Sequence, residues 1–193
     1  MYRWLSYLVA IAHAGCSSPV EAIDAAAHCP VGDPSAPAQL EIVNLDVNLD
    51  IVNTTPNAPV PLFPPPQGGW IVFLGARATN LDGCRVDLTT SFRDVPGGSI
   101  IQVDRRPTQL DDTGDGWAVT RTSMAANLPI CPQLTATRNL HDEPYEITVT
   151  LEDAYGQRAS QSMVIVPVCP DPDPTGRCLC ECDQHYVVGG SCP

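Results

Sequence analysis

The sequence of 193 residues contains no lysine: all ten basic residues are arginines, set against 22 acidic residues for a formal net charge of −12. That balance excludes a nucleic-acid binder, which needs a basic footprint along the phosphate backbone. No apolar run reaches the roughly 18 residues that a membrane-crossing helix requires. The common signatures of catalysis are missing as well. There is no G-x-S-x-G, no H-E-x-x-H, no phosphate-binding P-loop and no G-x-G-x-x-G. Beyond the first segment the only histidines are His28, His141 and His185. His141, Asp142 and Glu143 are contiguous, and a catalytic triad cannot be assembled from neighbours in sequence. No enzyme activity and no cofactor are therefore expected. With 44 % hydrophobic residues, the chain still has the material for a packed core.

The sequence is rich in two residue types, with 20 prolines and 9 cysteines. The first segment is Met1-Tyr2-Arg3, then the apolar stretch Trp4 to Ala12, then small residues up to Ser18. This is the layout of a secretory signal peptide over residues 1–15. Two processing readings stand side by side. Ala12-His13-Ala14 fits an A-x-A cleavage site, which gives a free secreted or periplasmic protein. Ala14-Gly15-Cys16 resembles the end of the lipobox of bacterial lipoproteins, with His13 where that pattern has leucine. This resemblance implies that Cys16 is lipidated and becomes the first residue. Ser17 after it implies sorting to the outer membrane. Parity favours the lipid. Exported cysteines tend to pair, and nine is odd. Setting Cys16 aside leaves Cys29, Cys84, Cys131, Cys169, Cys178, Cys180, Cys182 and Cys192, enough for four disulfides.

Residues 16–39 are rich in Ala, Pro, Ser and Asp and read as a flexible tether, with one helical turn over Val20–Ala27 and Cys29 tying it to something downstream. From residue 40 the pattern turns to period two. Asn44 to Ile51 alternates strictly, with Leu45, Val47, Leu49 and Ile51 on one face, as in a half-buried strand; the Asp46/Asp50 face reads as solvated. The proline-rich stretch 56–69 can be neither helix nor central strand, only a loop or an edge crossing. Strands are expected at 70–79, 84–93, 99–104, 117–123, 145–152 and 158–168, with Val86, Leu88, Thr90 and Phe92 sharing one face and Tyr145, Ile147, Val149 and Leu151 another. Seven to eight short strands with a turn every ten or so residues predict an all-β sandwich over residues 40–168.

Tyr145-Glu-Ile-Thr-Val-Thr-Leu-Glu-Asp-Ala-Tyr-Gly156, followed by Val164-Ile-Val-Pro-Val168, resembles the closing hairpin of bacterial immunoglobulin-like domains. The resemblance implies an immunoglobulin-like antiparallel β-sandwich with adhesive, spacing or binding roles. It makes Tyr145 either a tyrosine corner, its hydroxyl bonded back to nearby backbone, or an aromatic at a strand end. Ile147 stands where antibody domains have cysteine, so Cys84 and Cys131 would bridge elsewhere.

Residues 169–193 form a cysteine-rich tail behind the acidic proline hinge Cys169-Pro-Asp-Pro-Asp-Pro-Thr-Gly176. The run C-x-C-x-x-x-Y-x-x-G-x-x-C from Cys180 to Cys192 resembles the last third of an epidermal-growth-factor-like module, which implies a Cys182–Cys192 bridge. A zinc site from Cys178, Cys180, Cys182 and His185 is the competing reading, although tetrahedral sites prefer wider spacing. One further stretch bears on metals. Asp111-Asp-Thr-Gly-Asp-Gly116 resembles the start of a calcium loop through Asp111, Thr113 and Asp115, but Thr122 stands where the template needs a bidentate Glu, and a polar hairpin turn explains the same residues. The expectation is a non-enzymatic envelope lipoprotein on the outer membrane or cell surface. Its lipid anchor holds a β-sandwich with a protein or polysaccharide ligand. The alternatives are a secreted accessory or inhibitor protein, or a hydrolase with an unrecognised carboxylate site.

Overall fold

The computed structural model describes residues 28–95, 97–134 and 136–192. Cys16, the segment expected to be a signal peptide and the turn expected at 20–27 lie outside the described residues. The protein is all-β. Its strands are β1 (Pro30–Val31), β2 (Gln39–Leu45), β3 (Ile51–Asn53), β4 (Ala58–Pro61), β5 (Trp70–Thr79), β6 (Leu81–Asp82), β7 (Val86–Asp94), β8 (Ile100–Thr108), β9 (Leu110–Asp112), β10 (Ala118–Thr120), β11 (Ala126–Cys131), β12 (Tyr145–Asp153) and β13 (Arg158–Val168). One short helix, α1 (Arg177–Glu181), follows them. Seven strands have six or more residues, namely β2, β5, β7, β8, β11, β12 and β13. The others have four residues or fewer.

One large sheet runs β3-β2-β5-β10-β9, with β11 also paired to β5; the second runs β4-β13-β12-β7-β8, and β1 and β6 form a separate two-stranded piece. All pairings are antiparallel except β4 on β13. The core lies between the sheets and follows the period-two pattern. From the first sheet come Ile42, Trp70, Val72, Leu74, Ala126, Leu128 and Ile130. From the second come Val86, Leu88, Phe92, Tyr145, Ile147, Val149, Leu151 and Ile165. Thr90 shares their face and is buried, but its hydroxyl has no hydrogen-bond partner.

Tyr145 ties core to loop. Its ring stacks on Phe92 with centroids 4.5 Å apart, and its hydroxyl donates to the Asn139 carbonyl at 2.7 Å. The Arg138 guanidinium covers the other side, 4.1 Å from the ring centroid. This is the back-bonded geometry of a tyrosine corner. Burial pushes the hydroxyl up to about 12.

Three local readings of the sequence are corrected. Asn44 to Ile51 is not one strand. It is the β2–β3 hairpin, because Asp46 Oδ1 accepts the N–H groups of Asn48 and Asp50 at 2.8 and 3.0 Å and Leu49 takes a φ of 65°. Side-chain capture of the backbone at an Asx turn overrides alternation. Val47 and Leu49 are left 73 % and 50 % exposed, on no core face. The second correction is β11, which sequence pattern misses because Pro129 sits inside it. β11 pairs with β5 alone, so it has a side on which a proline's missing N–H costs nothing. The third concerns the bridges of the tail.

The eight cysteines from Cys29 onward form four disulfides: Cys29–Cys84, Cys131–Cys182, Cys169–Cys178 and Cys180–Cys192. The Cys182–Cys192 bridge implied by resemblance is not formed. The reason is helical geometry. Cys178, Cys180 and Cys182 lie on and just beyond α1, with the Cys182 N–H donating to the Cys178 carbonyl at 3.0 Å. At about 100° per residue, positions four apart share a face and positions two apart oppose each other. Cys178 and Cys182 therefore face the sandwich, fully buried, while Cys180 turns away to meet Cys192.

Candidate functional site

Three places bring chemistry-bearing side chains together. The first is the N-terminal clasp. β1 pairs with β6, and the Cys29–Cys84 bridge fixes the chain beside it. Two buried carboxylates organise this corner. Asp82 accepts the N–H groups of Cys29 and Cys84 at 3.1 and 3.0 Å and meets His28 Nδ1 at 3.2 Å. Asp153 accepts the N–H groups of Asp82, Tyr155 and Gln157, each at 2.9 Å. Each carboxylate replaces backbone partners that a strand end would otherwise leave unmet. Outside them, the Tyr155 hydroxyl lies 2.9 Å from His28 Nε2 and the two rings stack. Sequence reasoning passed over Asp82 and His28. Asp153 was within its reach, since Asp153-x-x-Gly156 closes a hairpin in which Gly156 takes a φ of 84°.

The second place is a largely apolar cleft of about 740 Å³ where the sandwich meets the tail. Phe63, Trp70 and Val168 form its floor, and Pro170, Pro172 and Arg177 its tail-side wall. The Trp70 indole N–H is buried at this end without a partner. Gly69, with a φ of 77°, is required here, because a Cβ would come within 2.5 Å of the Cys131 carbonyl oxygen. Asp173 on the same wall is already engaged by the N–H groups of Cys178 and Leu179, at 2.9 and 3.3 Å.

The third place is the sulfur cluster under this cleft. The sulfur atoms of Cys169, Cys178 and Cys182 all lie within 4.8 Å of one another, and Cys182 is bonded to Cys131. The set Cys178, Cys180, Cys182 and His185 is not brought together. Cys180 points away, and the exposed His185 ring contacts Gln184 at 3.2 Å.

The calcium-like turn is a hairpin between β9 and β10. Asp111 pairs with Arg121 at 2.7 Å, and Asp115 with Arg77. Asp115 also accepts the Thr113 hydroxyl at 2.6 Å and the Trp117 N–H at 3.1 Å. These contacts, the Thr113 hydroxyl foremost, hold the Asp115 carboxyl below the usual carboxylate range; Arg121 does the same for Asp111. Both carboxylates face guanidinium groups. His141 meets its neighbour Asp142 at 2.9 Å, while Glu143 turns to Arg138.

Among the described residues no helix is long and apolar enough to cross a membrane. No protein-family model matches the chain, and a search of curated proteins finds no match.

Proposed function

We propose that the chain is an exported envelope lipoprotein: acylated Cys16 anchors it, and a disulfide-braced, immunoglobulin-like sandwich displays a binding surface away from the membrane. Parity carries this reading. Each of the other eight cysteines has its partner within the chain, so none is left for Cys16. Such pairing suits an oxidising compartment. Cys29, the first residue of the Cys29–Cys84 clasp, stands thirteen residues after Cys16 in the sequence.

The same reading makes the sandwich a presenting module with no chemistry of its own. Its buried carboxylates are occupied by backbone donors and its exposed ones are largely paired with arginine. The cleft lined by Phe63, Trp70 and the hinge prolines is the concave surface best suited to a ligand carried by a surface protein or polysaccharide.

The test is mass spectrometry of the mature N-terminus after expression in a Gram-negative host. A diacylglyceryl-modified Cys16 at the first position is expected, and Cys16→Ser should move the protein from the membrane fraction to the soluble one. A mature chain starting at Gly15 and unaffected by Cys16→Ser would contradict the proposal.

A further inference from the structure

The two bridges at the cleft, Cys131–Cys182 and Cys169–Cys178, are adjacent in a way that disulfide bonding alone does not require. Cys178 and Cys182 stand one helical turn apart on the same face, and Cys169 brings a third sulfur within 4.8 Å of both. Cys131, bonded to Cys182, supplies a fourth from β11. We propose that in the reduced chain Cys131, Cys169, Cys178 and Cys182 form a tetrahedral thiolate site for one soft divalent cation of the zinc type.

The geometry favours it on three counts. Zinc–thiolate bonds of about 2.3 Å place tetrahedral sulfurs about 3.8 Å apart. The sulfurs of Cys169, Cys178 and Cys182, within 4.8 Å of one another, and that of Cys131, bonded to Cys182, reach that by side-chain rotation once the bridges open. The spacing Cys178-x₃-Cys182 falls in the C-x₂₋₄-C range that structural zinc sites use, whereas the one-residue spacings through Cys180 do not. The ligands also come from three separate parts of the chain: β11, the residue just after β13, and α1 with its C-cap. A closed site of this kind would hold the tail on the sandwich just as the bridges do. Cys178 and Cys182 are wholly buried, Cys131 is 3 % exposed, and Cys169 is partly buried at the edge of the cleft, so a bound ion would be shielded on three sides and reachable from the cleft through Cys169.

The chemistry balances. Each disulfide takes two electrons and two protons from a dithiol, which leaves as its own cyclic disulfide, so two dithiols convert the two bridges into four thiols. The cation then binds four thiolates and releases four protons to solvent. Oxidation by a disulfide donor reverses the exchange and expels the ion. The same four sulfurs thus serve as two staples when oxidised and one metal site when reduced.

The test uses the full chain carrying Cys16→Ser, so that no ninth thiol competes, reduced anaerobically with a dithiol and titrated with Co²⁺ and Cd²⁺. Expected are one ion per chain, the intense visible bands of tetrahedral cobalt thiolate, and protection of Cys131, Cys169, Cys178 and Cys182 from alkylation while Cys29, Cys84, Cys180 and Cys192 react. The Cys180→Ser/Cys192→Ser chain should bind as tightly as its parent, and Cys169→Ser at least 100-fold more weakly. The proposal is overturned if no ion binds, if the reduced chain stays unfolded with the metal present, or if Cys180 or Cys192 is among the protected thiols.

Discussion

The sandwich and the tail are held by opposite means. The sandwich buries two facing rows of aliphatic and aromatic side chains, and its one internal bridge, Cys29–Cys84, sits at the corner where β1 meets β6. The tail contributes only Cys178 and Cys182 to that core and otherwise relies on three bridges, of which Cys131–Cys182 alone joins it to a sandwich strand. Packing supplies stability in proportion to area removed from water, and about 25 residues cannot bury enough of it. Covalent links substitute where the core stops. The two regions should therefore fail differently.

The largest effect belongs to the sandwich. Phe92→Ala removes a fully buried ring and its stack on Tyr145, and should cost about 3–5 kcal/mol in a denaturant titration. Loss of the tail anchor comes next. Cys131→Ser/Cys182→Ser opens a link between residues 51 apart, for which chain entropy gives about 4 kcal/mol as an upper figure. Its signature differs from that of the core change. Amide exchange should rise across α1 while β12 and β13 stay protected. An equal rise in both regions would break the division drawn between them.

Smaller effects sharpen the picture at the corner tyrosine. Tyr145→Phe loses the bond to Asn139 and should cost about 1 kcal/mol near neutral pH. The same hydroxyl is neutral in the fold, pushed up from 10.0 to about 12 by burial. A raised pKa favours the protonated form, so its contribution is whole below pH 10 and fades as the pH climbs from 10 to about 12. Alkaline destabilisation across that window should be weaker in Tyr145→Phe; an unchanged profile would place the loss elsewhere. Thr90→Val is the smallest change. It removes a buried hydroxyl with no partner at nearly constant volume and should raise stability by about 1 kcal/mol.

The legibility of the sequence divides along the same line. β7 and β12 could be read residue by residue, because strands buried on one face and wet on the other write that asymmetry into alternate positions. Asn44 to Ile51 carries an equally clean alternation and is a hairpin, since Asp46 binds the backbone locally and pattern alone does not register that. β11 was hidden by Pro129, whose tolerance depends on which of its sides is paired. In the tail the cysteines were visible but their partners were not. Pairing depends on whether the segment from Cys178 to Cys182 is extended or helical, and five residues hold too little periodicity to decide. The cleft was illegible for a related reason. Phe63, Trp70 and Pro170 are far apart in sequence and meet only when the tail folds back. Residues 28–38, read as tether by composition, run beside β6 because Cys29 and Asp82 fasten them there.

Disulfide mapping under non-reducing conditions tests the central claim most directly, namely that Cys131–Cys182 bolts the tail to the sandwich. Cleavage at the arginines, after Glu181 and before Asp183 isolates Cys182 from both Cys180 and Cys192. The account predicts Cys182 on the peptide that carries Cys131, with Cys180 joined to Cys192. Recovery of Cys182 bonded to Cys192, with Cys131 bonded to any other cysteine, would contradict it.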